Sequence, residues 1–220
     1  MKKLLVLLPL ILLLSCGGGE GPSMRSIDYP IVVSADDGHF YHILGQEWRS
    51  ADTGSTVIFG RIDVGPVHST YRMFVRFPLT ILAGSTINSA TLVFEASSGV
   101  GSFATDIKLI DADNCGDINS FAADQSDMDF TGDEVSWTPD TWTGHEEYSS
   151  DDIATLLQAY IDRAGYLQGQ YIGLLLTEGD AEDNEMRIAY AWDDATAAAP
   201  ILRVIYTPII GSLSVAVKKN

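Results

Sequence analysis

Cysteine is scarce: 220 residues hold two, Cys16 and Cys115, which excludes a disulfide-stapled scaffold and any thiolate metal cluster. Histidine is scarce too, with His39, His42, His68 and His145. His39 and His42, three apart in an extended run, point to opposite faces, so no zinc site is expected. Basic residues number 13 against 30 acidic ones, a formal charge of −17. That field repels nucleic acid and anionic lipid head groups, so no nucleic-acid partner is expected. Nucleophile elbow, phosphate-cradling glycine loop and His-rich metal motif are all missing. Glycoside hydrolysis needs only two carboxylates, so an abundance of acids is uninformative, and the chain reads as a non-enzyme. No apolar run after residue 16 approaches the ~20 residues of a spanning helix.

The first residues read as an export signal: Lys2 and Lys3, then a Leu-rich run from Leu4 to Leu14, then Ser15 and Cys16. Leu13-Leu14-Ser15-Cys16 resembles the lipobox of bacterial lipoproteins. The resemblance implies cleavage after residue 15 and lipidation of Cys16; the competing reading is an ordinary secretory signal with an incidental cysteine. With Cys16 lipidated, Cys115 has no disulfide partner, and its polar loop offers no second Cys or His. Residues 16–27 then form a lipidated, Gly-rich tether. Membrane contact is expected through the lipid anchor alone, with the domain outside the cytoplasm at the cell envelope. Cleavage also removes Lys2 and Lys3, making the mature chain more acidic still. Solubility and calcium-binding carboxylates both account for that acidity.

About 205 mature residues suit one domain, taken as residues 28–207. Period-two alternation dominates it. Tyr71, Met73, Val75 and Phe77 share one face of a strand and Arg72, Phe74 and Arg76 the other; Ala90, Leu92, Phe94 and Ala96 form an inward set. Further runs at Ile31 to Val33, His39 to Leu44, Thr56 to Ile62, Thr105 to Ile110, Gln170 to Thr177, Met186 to Trp192 and Ile201 to Tyr206 give about nine short strands. The pattern predicts an all-β, jelly-roll-like antiparallel sandwich. One segment departs from it. Ile153, Leu156, Leu157, Tyr160 and Ile161 recur at helical spacing, predicting a single amphipathic helix from Asp151 to Ala164 that seals one end. Ser149 or Ser150 is its expected N-cap and Gly165 its left-handed stop. Residues 208–220, with Leu213, Val215 and Val217 alternating, form either a tail or an added edge strand able to pair with a neighbour.

Asp36-Asp37-Gly38, Tyr71-Arg72-Met73-Phe74-Val75-Arg76-Phe77, Ile87-Asn88-Ser89-Ala90-Thr91-Leu92, the Asp111-Ala112-Asp113-Asn114 loop, the Trp137 to Tyr148 stretch and Ala199-Pro200-Ile201-Leu202-Arg203-Val204 together resemble the DNRLRE-type, disaggregatase-related sandwich modules. The likeness runs from about residue 34 to 206 and rests on the order of the motifs. It implies a jelly-roll-like extracellular module, in some cases carbohydrate-binding. Here no recognisable catalytic domain accompanies it.

Two candidate sites follow. Asp36, Asp37, Asp111 and Asp113 are the best candidates for a structural Ca2+ site, since calcium takes six to eight oxygens from converging loops; solvated acidic loops are the alternative. Trp48, Trp137, Trp142 and Tyr148 are candidates for a sugar platform, with packing over the core as the alternative. Trp192 continues the Met186, Ile188, Tyr190 face and is expected in the core. The expected function is a surface-anchored binding module for polysaccharide or another extracellular polymer. Its alternative is an envelope assembly protein that self-associates through edge strands such as Gly211 to Val217.

Overall fold

The computed structural model describes residues 23–195 and 197–209; Cys16, most of the tether and the Gly211 to Val217 segment lie outside the described residues. The strands are β1 (Arg25–Pro30), β2 (Asp37–Ile43), β3 (Arg49–Ala51), β4 (Thr56–Val64), β5 (Val67–Pro78), β6 (Thr86–Val100), β7 (Thr105–Ile110), β8 (Phe130–Trp137), β9 (Glu147–Ser149), β10 (Tyr171–Leu176), β11 (Met186–Tyr190) and β12 (Ile201–Thr207), with one α-helix, α1 (Ala154–Ile161). Among the described residues all pairings are antiparallel, in the order β1-β12-β6-β11-β4-β5-β10-β7-β8, with β2 also pairing β5, β3 pairing β2 and β9 pairing β6. The described residues are all-β with one short helix, as their alternation predicts.

The long strand β6 curls the sheet into a sandwich-like form. Residues 86–93 pair with β12 and its far end pairs with β11. Between these halves Ser97 is an extra residue, because Ile188 faces Ser98 while Ala189 faces Ala96. Such a bulge bends a strand and lets it pass between layers. Met73, Val75 and Phe77 of β5 thereby pack in one core with Leu92 and Phe94 of β6 and with Leu202 and Val204 of β12.

The helical face is buried as its spacing predicts: Leu156, Leu157, Tyr160 and Ile161 join this core, each worth roughly 1.5–3 kcal/mol of burial. Its ends differ from the prediction. Ser150 and Ile153 donate backbone N–H groups to Leu92 and Ala90, so residues 150–153 still run alongside β6 and the helix starts only at Ala154. Neither Ser149 nor Ser150 caps it. Asp152 Oδ1 instead accepts from Ala154 N and Ala90 N, both at 2.9 Å. Gly165 is not left-handed; a side chain there would strike Asp113, its Cβ lying 1.8 Å from Oδ2.

Other boundaries also move. The first strand is Arg25–Pro30, reaching into the expected tether, because Arg25 to Pro30 pair in register with β12; no strand forms at Ile31 to Val33, which leads into a short 3-10 turn at Ser34–Asp36. β3, β8 and β9 lack an apolar alternation and are fixed by their partners β2, β7 and β6. On β11 the faces are inverted: Arg187 and Ala189 are buried, whereas Met186, Ile188 and Tyr190 are half-buried. β11 ends at Tyr190, and Trp192, in the turn beyond it, is 44% exposed instead of lying in the core.

Candidate functional site

The outer face of β5 carries Arg72, Phe74 and Arg76, as the alternation requires. Phe74 is roofed by the segment 111–129, from which Cys115, Ile118 and Met128 join Phe40, Ile110 and Leu175 in a second, smaller core. Gly173 of β10, opposite Arg76, makes room for that roof; a Cβ there would lie 2.2 Å from Cys115 Sγ. Burial pushes the Cys115 thiol up to about 12, which leaves it unreactive.

Arg76 lies beneath this roof. Its Nε bonds Asp36 Oδ1 at 2.5 Å, its Nη1 donates to Cys115 O at 3.0 Å, and its guanidinium sits 4.3 Å from the Tyr171 ring. Asp36 is fully buried, and its Oδ2 has no hydrogen-bond partner. Burial raises its carboxyl despite Arg76. Asp37, also buried, accepts from Trp192 N at 2.9 Å; burial pushes it up to about 7, with Asp193 and Asp36 adding to the rise.

Arg72 lies at the edge of the roof, beside an open groove. Its Nε and Nη2 clasp Glu178 Oε2 and Oε1 at 2.6 and 2.9 Å, its Nη1 donates to Gln125 Oε1 at 3.0 Å, and its guanidinium stands 4.8 Å over the Trp48 ring. Burial alone would raise the Glu178 carboxyl, but the bonds from Arg72 outweigh it and the net shift is downward. The groove has a volume of 440 Å³ and is lined by Arg72, Asp106, Lys108, Thr177, Glu178 and Asp180 among others. Trp48 is half-buried, its ring 5.3 Å from that of His42.

The four candidate calcium ligands do not converge. Asp36 belongs to Arg76 and Asp37 to the Trp192 turn, whereas Asp111 and Asp113 hold Arg163 at the end of α1, at 2.7 and 2.8 Å. Arginine, not a cation from solution, takes three of the four carboxylates. Among the described residues one His/Asp cluster has metal-ligand spacing: Asp63, His68 and Asp183, whose donor atoms lie within 4.8 Å of one another.

The aromatic platform is likewise corrected. Trp137 and Trp142 are 4% and 3% exposed and pack on Phe59 and Phe94 inside the sandwich. Tyr148 stacks on Trp142 at 5.4 Å, and its hydroxyl accepts from Thr143 N. Large apolar rings in a sandwich with two converging layers are worth more inside than out. Trp48 and Tyr148 are half-buried, Trp48 against the smaller core and Tyr148 against the larger, and Trp48 is the one that meets Arg72.

Sequence reasoning missed the partnership of Arg72 with Glu178 and Gln125, because it spans 106 residues for Glu178 and 53 for Gln125. It also missed Arg187, fully buried with no carboxylate: its guanidinium donates to carbonyls of Pro139, Asp140, Val100, Gly101 and Met186 and lies 5.1 Å from the Phe103 ring. Burial lowers its pKa, and this carbonyl cage ties three segments together as a structural knot. Asp63 and His68 carried a readable signal, flanking a Gly65-Pro66 hairpin turn that sets them directly opposite.

No protein-family model matches this chain, and no curated protein does either. Among the described residues no helix is long and apolar enough to cross a membrane.

Proposed function

We propose that this chain is a lipid-anchored, non-catalytic module of the cell envelope that binds extracellular polysaccharide in the outer-face groove. One observation carries the reading: Arg72 and Glu178 are clasped together in the lining of an open, polar groove, and the Trp48 ring lies 4.8 Å from the Arg72 guanidinium. A sugar presents an apolar ring face and a rim of hydroxyls. A tryptophan offers the first a flat partner, and fixed charged side chains offer the second directed donors and acceptors. The clasp holds Arg72 and Glu178 in place before a ligand arrives, which reduces the ordering cost of binding. Glycosidic cleavage needs a carboxyl that keeps a proton, and Glu178, shifted downward by Arg72, is the opposite. The overall charge of −17 favours uncharged polymers over polyanions. The reading accords with the resemblance to DNRLRE-type modules.

Titration calorimetry and affinity electrophoresis against neutral and uronate-containing glycans test the proposal. Expected are a Kd on the order of 10⁻⁴ M for a neutral polymer, about −5 kcal/mol, and at least a ~10-fold loss in each of Trp48→Ala and Arg72→Ala. Inertness to every glycan, or binding indifferent to both substitutions, overturns it. Inertness combined with an oligomer that dissociates when the last ten residues are removed points instead to an assembly protein.

A further inference from the structure

The β4–β5 hairpin sets Asp63 opposite His68 across its turn, and His68 Nδ1 lies 2.7 Å from Asp63 Oδ1. The loop between β10 and β11 folds back onto this hairpin: Asn184 Oδ1 accepts from Asp63 N at 2.9 Å, and Asp183 reaches the same spot, 120 residues away in sequence. The ligating atoms of Asp63, His68 and Asp183 lie within 4.8 Å of one another, with Asp63 half-buried and the other two exposed. An imidazole completes the group. A cavity of 230 Å³ opens in front of the three, walled also by His42, Arg61, Ser69 and Thr70. His42 and Arg61 both oppose Thr70, two positions along from His68, so they share its sheet face.

We propose that Asp63, His68 and Asp183 form a binding site for a single divalent transition-metal ion of zinc type. One imidazole nitrogen with two carboxylate oxygens is a borderline donor set that suits zinc. Calcium prefers six to eight oxygens and has no use for the imidazole. The two carboxylates neutralise the ion, and the remaining coordination positions face the cavity, where His42 stands on the same wall. Arg61 opposes the ion's charge and limits its affinity. A bound ion would add a further link between the hairpin and the loop carrying Glu178, which already meet through the Asn184 bond and a 2.7 Å bond from Arg61 N to Glu185 O. The site is independent of glycan recognition, and metal binding is read without any sugar.

The purified chain, stripped with EDTA and dialysed, is titrated with ZnCl₂ and, separately, CaCl₂ by calorimetry, with circular dichroism confirming that each variant is folded. Expected are one zinc equivalent per chain, a zinc affinity well above that for calcium, and a loss of about 10- to 100-fold in His68→Ala and in Asp183→Asn. Arg61→Gln is expected to tighten zinc binding. Substituting Co²⁺ reports ligation through its visible absorption bands, which should change in His68→Ala. Absence of saturable zinc binding, binding unchanged in both folded variants, or calcium bound as tightly as zinc overturns the proposal. If His68→Ala fails to fold, the folded Asp183→Asn variant decides.

Discussion

Arg72 and Arg76 stand four residues apart on the same face of the same strand, and each has a carboxylate, a second oxygen acceptor and an aromatic ring. Arg76 has Asp36, the Cys115 carbonyl and Tyr171; Arg72 has Glu178, Gln125 and Trp48. What separates them is how the 111–129 segment covers each: it lays Cys115 and its carbonyl over Arg76, but meets Arg72 through the Gln125 side chain beside an open groove. The Arg76 and Asp36 side chains are 14% and 0% exposed, those of Arg72 and Glu178 29% and 17%. The same set of groups is therefore structural where water is excluded and accessible to a ligand where it is not. Position under a roof, rather than residue type, sorts the two.

The largest effect is expected on the covered side. Arg76→Leu removes the counter-charge of a carboxylate whose second oxygen already lacks a partner, and breaking such a buried pair costs about 3–5 kcal/mol. Urea unfolding measures it, with Arg76→Leu/Asp36→Leu expected to recover much of the loss. A cost below ~1 kcal/mol would mean that the roof admits water and that the contrast with Arg72 is false.

Asp37 sharpens the same contrast through pH. Its folded pKa, pushed up to about 7 by burial, exceeds the unfolded value near 3.9, so the folded state holds the proton more tightly. Its contribution to stability is fully present below about pH 4 and is lost as pH rises to about 7. His39, lowered by burial to about 4, acts in the opposite sense: its stability is lost as pH falls from about 6.5. The two slopes partly cancel in the native protein. Asp37→Asn, which keeps an acceptor for Trp192 N–H, should gain about 2–4 kcal/mol on the native protein between pH 4 and pH 8. Equal stability differences at both pH values would show that Asp37 is solvated.

What the sequence made legible are the positions where one periodicity controls burial. Ala90, Leu92, Phe94 and Ala96 lie inward as their alternation requires, and the Ile153 to Ile161 face is buried as its spacing requires. β11 departs from its expected faces because its buried face holds an arginine, whose needs are met by five backbone carbonyls, four of them from segments distant in sequence. Composition cannot reveal such a cage. The expected calcium site failed for a related reason: Asp36, Asp111 and Asp113 have the right chemistry, but Arg76 and Arg163 reach them first. Both candidate sites depend on the β10–β11 loop returning to β5 and to the β4–β5 hairpin, a contact no local pattern encodes. Asp63 opposite His68 was the one local clue.

The smallest stability effect is expected on the open side, where the functional effect is greatest. Arg72→Ala breaks a clasp that water reaches, and such pairs are worth about 0–1 kcal/mol. A domain of this size should lose only about 2–4 °C in melting temperature per kcal/mol. Glu178, no longer held down by Arg72, should titrate higher, because burial alone raises it. The native clasp contributes above the unfolded Glu178 pKa and is lost as pH falls through the lower folded value, so wild type and Arg72→Ala should converge in stability on acidification. Added salt should narrow the same gap at neutral pH, whereas it should leave the Arg76→Leu deficit nearly unchanged. If Arg72→Ala instead destabilises the chain as much as Arg76→Leu, the groove is part of the scaffold, and the division between a roofed and an open arginine disappears along with the proposed glycan site.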